Sequence, residues 1–72
     1  GMPLVRKLES ELWEVRSHLR NGGVARVLFT VLGHDMVLLH AFEKKTQKTP
    51  QEALKLARKR KRDYEEAENE QT

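Results

Sequence analysis

The chain has no cysteine among its 72 residues, so neither a disulfide framework nor a thiolate metal site is available to stabilise it, and a reducing, cytoplasmic setting is expected. Long apolar runs are missing too. The longest, Val24 to Leu32, is interrupted by Arg26 and Thr30 and falls far short of the ~20 residues of a membrane-spanning helix. No signal peptide, glycine-rich phosphate loop or nucleophile elbow is visible. Its three histidines, His18, His34 and His40, read as lying on one strand face, in a turn and on the opposite strand face. They do not converge as a zinc site, and no metal or cofactor is expected. A single core of this size rarely supplies more than ~3–5 kcal/mol of net stability, which makes a partner expected.

Charge is present but unevenly placed. The chain has 14 basic and 11 acidic residues, a net of +3. Glu65, Glu66, Glu68 and Glu70 hold four of those acids, leaving residues 1 to 64 with a net of +7. A body that basic favours polyanions through counterion release, although net charge also serves solubility alone. Residues 1–64 read as one domain and residues 65–72 as an acidic, frayed tail.

The hydrophobic period is two up to about Phe42 and helical afterwards. LWEVRSHL (12–19), ARVLFTVL (25–32) and DMVLLHAF (35–42) read as three strands. Asn21-Gly22-Gly23 suits a three-residue loop and Gly33-His34 a two-residue hairpin. These loop lengths place Leu19 opposite Ala25, Arg16 opposite Leu28 and Val27 opposite His40. One face then gathers Trp13, Val15, Leu19, Ala25, Val27, Phe29, Val31, Met36, Leu38 and Phe42, with His40 and Ser17 its polar members. The other carries Glu14, Arg16, His18, Arg26 and Thr30 among Leu12, Leu28, Val37, Leu39 and Ala41. Arg16 and Arg26 become near neighbours on this second face. They either hold an anion between them, for which a guanidinium fork suits phosphate, or are paired with Glu14 or another carboxylate.

At the end of the third strand, LLHAFEKKTQKTP (38–50) places Lys44, Lys45 and Lys48 between an apolar strand and a helix start. Thr49-Pro50-Gln51-Glu52 has the form of a capping box with proline at the first helical position. The lysines are either a solvated connection or positive charge held on a fixed scaffold. The helix, Pro50 to about Glu68, has a narrow apolar stripe, and its run Arg58-Lys59-Arg60-Lys61-Arg62 reads as a solvated face or a nucleic-acid patch. His40 is either a satisfied histidine in an apolar layer or a general acid/base near the lysines.

PLVRKLESELWEVR (3–16), ARVLF (25–29) and LLHAFEKKTQKTP (38–50), in that order, resemble the phage-derived HigB-like branch of the RelE/ParE toxin superfamily. The resemblance runs from about Pro3 to Tyr64. Ala25 and Phe29 stand where relatives often have tyrosines. The pair of N-terminal helices usual in the superfamily does not precede the first strand, and Gly1 ahead of Met2 reads as a cloning scar. The expected architecture is therefore α+β, a truncated RelE/ParE-like fold with a three-stranded antiparallel meander and a basic C-terminal helix.

The function this resemblance implies is the toxin of a toxin-antitoxin system, an mRNA interferase that cleaves ribosome-bound mRNA without metal and is neutralised by a helix-turn-helix antitoxin. Arg16 and Arg26 would bind the scissile phosphate, Lys44 and Lys45 would stabilise charge, and His40 and Tyr64 would exchange protons. Lys48, Lys55, Arg58, Lys59 and Arg62 would contact RNA. The alternative is a truncated, inactive module that binds nucleic acid or protein. In either case the uncovered apolar sheet face, with Trp13 and Phe29, makes a homodimer expected.

Overall fold

A computed structural model describes residues 4–43 and 49–70. The sheet has four strands rather than three: β1 (Val5–Glu9), β2 (Leu12–His18), β3 (Val24–Leu32) and β4 (Asp35–Glu43), in the order β1-β2-β3-β4 with antiparallel pairing throughout. A single helix, α1 (Gln51–Glu70), follows. It runs to Glu70, two residues past the expected end at about Glu68.

β1 escapes a reading by alternation because it is an edge strand whose charged residues still have partners. Arg6 pairs with Glu14 and Lys7 with Trp13 across the ladder, and a bulge near Leu8 breaks the period. Glu11, with φ of 58°, closes the turn into β2 in the left-handed region.

The β2–β3 connection is longer than expected. The Leu19 N–H donates to the Gly23 carbonyl at 2.9 Å, and the Gly23 N–H donates to Asn21 Oδ1 at 2.9 Å. Residues 19–23 thus close as one turn, and the register moves by two. Ser17, not Leu19, sits opposite Ala25, and Arg16 lies directly opposite Arg26 rather than Leu28. A shift of two keeps every side chain on its face.

The β3–β4 hairpin starts as expected, with Leu32 opposite Asp35 and Phe29 opposite Leu38. A bulge at Leu39 then moves the register by one, so His40 faces Leu28 and Phe42 faces Arg26. His40 and Phe42 therefore leave the apolar face to which alternation assigns them.

Helix α1 packs on the face that carries the polar residues. Ala53 and Ala57 bring its backbone close to Leu12, Leu28 and Leu39, with Leu8, Val37, Phe42 and Leu54 around them. Small side chains at i and i+4 make this contact possible for a helix whose other faces are charged. Among the described residues, no element lies over the opposite sheet face. Trp13 and Phe29 stack there with ring centroids 6.0 Å apart, and Val5, Val31, Met36 and Leu38 are exposed.

Candidate nucleic-acid interface

The cations of the strands converge where α1 begins. Arg26 is fully buried (0%) and Glu14 nearly so (1%), with Arg26 NH1 2.7 Å from Glu14 Oε1. This contact is a charge pair more than an aligned hydrogen bond. The buried Arg26 Nε and NH2, and the Thr30 hydroxyl four residues on, have no hydrogen-bond partner among the described residues. Glu14 also accepts a hydrogen bond from the Thr49 hydroxyl at 2.8 Å and lies 3.7 Å from Arg6. Arg16 lies directly opposite Arg26, in the same rung and one rung from Glu14. Two arginines therefore contact one carboxylate, Arg16 lies one rung away, and the four residues together carry a net charge of +2.

Arg16 and Arg26 are brought together more closely than expected, and the anion held by Arg26 is Glu14. Arg16 is half-buried and makes no ion pair among the described residues. It is the guanidinium of the pair that solvent reaches. Thr49 does not serve as the expected capping-box side chain: its hydroxyl donates to Glu14, and no backbone N–H of α1 donates to it among the described residues. The first helical bond is instead from the Leu54 N–H to the Pro50 carbonyl, 3.2 Å. The expected sites Lys44, Lys45 and Lys48 lie outside the described residues.

The bulge brings His40 onto the same face as this cluster, one rung from Arg16 and Arg26. Its ring stacks on Phe42 with centroids 5.7 Å apart, and Arg60 NH1 lies 3.5 Å from its Nδ1. Guanidinium can only donate, so this contact favours the tautomer with the proton on Nε2. Arg60 also donates to the Leu39 carbonyl at 2.8 Å, which satisfies an acceptor at the bulge. A basic residue in a basic run gave no sequence signal of that role.

Tyr64 is not brought to the others. It lines a cavity of about 310 Å³ with Leu32, Gly33, Asp35, Glu65, Glu68 and Asn69, at the hairpin end of the sheet. Arg26 is six strand residues from Leu32, about 20 Å away. The Glu68 charge, with burial and a hydrogen bond to Glu68, holds the Tyr64 phenol above its ordinary 10. It is a protonated group far from the arginines.

The basic run of α1 divides among three directions. Arg58 makes a paired contact with Glu9 at 2.7 and 3.1 Å, and Lys61 lies 3.8 Å from Glu11 and 4.0 Å from Glu65. Arg60 turns to β4. Lys55, Lys59 and Arg62, spaced by four and three, share the outward face. Lys59 pairs with Asp63 at 2.9 Å, while Lys55 and Arg62 make no ion pair among the described residues. Of the five residues expected to contact RNA, these three form one exposed stripe. Arg58 instead ties the helix to β1.

The Arg58 hydrogen bonds hold Glu9 below its ordinary 4.5. A depressed carboxylate contributes stability above its unfolded pKa and loses it as pH falls through the folded value. Thermal unfolding of Glu9→Gln followed against pH is expected to match wild type closely near neutrality, because the pair is exposed. Below about pH 4.5 its stability should fall less steeply than that of wild type.

A family model, Phage derived protein Gp49-like (DUF891), matches residues 1–62. The chain belongs to this Gp49-like family. The Gp49-like family is of the RelE/HigB-like toxin kind. Neither a search of curated proteins nor a search of solved structures returned a match. No helix among the described residues is long and apolar enough to cross a membrane.

Proposed function

We propose that this Gp49-like chain is the toxin of a toxin-antitoxin pair and acts as a metal-independent endoribonuclease on mRNA at the ribosome, with a helix-turn-helix antitoxin as its neutralising partner. The observation that carries this reading is the family match, which spans both the cationic cluster and the lysine segment. In the cleavage step the ribose 2′-oxygen forms a bond to the adjacent phosphorus as the bond to the 5′-oxygen breaks. A proton leaves the 2′-hydroxyl and another reaches the departing oxygen. Charge builds on the phosphoryl oxygens, and fixed cations stabilise it. Arg16 is the exposed guanidinium for that task, with Arg26 beneath it and Lys44 and Lys45 following β4 in sequence. His40 is the titratable group one rung away that can exchange a proton, and Lys55, Lys59 and Arg62 form a stripe suited to RNA phosphates.

One observation favours a second reading, a binding module without catalysis. Arg26 is fully buried against Glu14, so phosphate reaches it only if the start of α1 moves. Cleavage of a ribosome-bound message by wild type, mapped at nucleotide level, supports the toxin. RNA binding without cleavage supports the module.

Both readings place lysine and arginine on phosphate, so affinity for an RNA oligonucleotide should fall steeply with salt. With four such contacts on a single strand, about 50-fold is expected to be lost between roughly 50 and 200 mM salt. An affinity flat across that range, read by fluorescence anisotropy, would return the α1 stripe to a merely solvated face.

A further inference from the structure

We infer that the uncovered sheet face is the interface for a second copy of this chain, with the two sheets crossed near a right angle. The face is apolar through its centre, where Val15, Val27, Leu38 and the Trp13–Phe29 stack lie together. It carries two charges of opposite sign among the described residues. Lys7, on β1, lies over the Trp13 ring at 5.7 Å, and Glu43 ends β4 opposite Ala25. Three strand spacings and four rungs separate them, a diagonal of roughly 20 Å. They are too far apart to pair within one chain.

A two-fold axis lying in the interface makes a patch meet itself. The axis that bisects the Lys7–Glu43 diagonal sets each Lys7 against the partner's Glu43, forming two ion pairs at opposite corners. Because the diagonal runs at about 45° to the strands, the same axis crosses the two sheets at about 90°, one of the two preferred sheet-on-sheet packings. A flat aromatic and aliphatic centre with a charged rim has the anatomy of a protein interface.

The exposed area agrees with this. The chain exposes 5646 Å². A folded monomer of 8.4 kDa exposes about 4,600 Å². The excess, about 1,000 Å² spread over the whole elongated chain, is large enough to include the ~800 Å² that each partner contributes to a standard interface.

Sedimentation equilibrium on the full chain tests this across the micromolar range. Wild type is expected to be a dimer. Leu38→Glu is expected to be a monomer with an unchanged circular dichroism spectrum, since Leu38 is 65% exposed and contributes little to folding of one chain. Glu43→Lys should weaken the dimer about tenfold at low salt, and adding Lys7→Glu to it should recover most of that loss. A monomeric wild type, in which case some other molecule covers the face, would overturn the inference. So would a dimer indifferent to Leu38→Glu, or a double reversal no tighter than Glu43→Lys alone.

Discussion

Replacing Glu14 with alanine is expected to unfold most of the chain. Glu14 is 1% exposed and is the counter-ion of the fully buried Arg26. Truncating one member of such a pair leaves an uncompensated buried charge and costs about 3–5 kcal/mol, as much as a core of this size supplies in total. The loss of the Thr49 hydrogen bond, which ties the start of α1 to β2, adds to it. Urea or thermal unfolding reads the effect directly. Substituting both members with apolar side chains, Glu14→Leu with Arg26→Met, should recover much of the loss, because a buried ion pair contributes little beyond the desolvation it must offset. A Glu14→Ala protein within about 0.5 kcal/mol of wild type, as surface substitutions usually are, would mean that the pair is not buried as described.

The second large effect is on catalysis, and Arg16 gives the clean test. Arg26→Ala is expected to lose activity, but it also removes the partner of Glu14, so its failure has two causes. Arg16 is half-buried, stands in the same rung and makes no ion pair among the described residues. Arg16→Ala should therefore keep the fold while the rate of message cleavage falls by ~10²–10³, the usual cost of removing one transition-state charge stabiliser. Lys44→Ala should fall comparably, whereas His34→Ala, at an exposed hairpin tip, should cleave at the wild-type rate. Cleavage by Arg16→Ala at the wild-type rate would remove the arginine cluster from the active site.

Much of this was legible in the sequence where period and turn chemistry agree. Gly33-His34 set the start of the β3–β4 register correctly, and the division of residues into an apolar and a polar-bearing face survives for β2 and β3. The losses have particular causes. β1 is an edge strand with charged residues and a bulge, so no clean alternation marks it. The bulge at Leu39 depends on packing against α1, with Arg60 bonded to the Leu39 carbonyl, and alternation alone cannot place it. That one residue moves His40 from the apolar face to the arginine face. Alternation makes Arg16 and Arg26 neighbours on one face, and the longer β2–β3 turn sets them directly opposite each other. The choice of Glu14 as the anion depends on burial by Ala53, Ala57 and Thr49, residues more than 30 positions away. Tyr64 lies near the sheet as its helical stripe suggested, but at the wrong end, because position along a helix and position along a strand are not tied by periodicity.

The central claim, that this Gp49-like chain is a toxin acting on messages through its arginine cluster, is most directly tested by inducing wild type and Arg16→Ala in cells and following translation by amino-acid incorporation, with both proteins present at equal levels. The account predicts that wild type arrests translation, with mRNA cut within coding regions, and that Arg16→Ala does not. Equal arrest by both proteins, or unimpaired translation with intact messages under wild type, would contradict it.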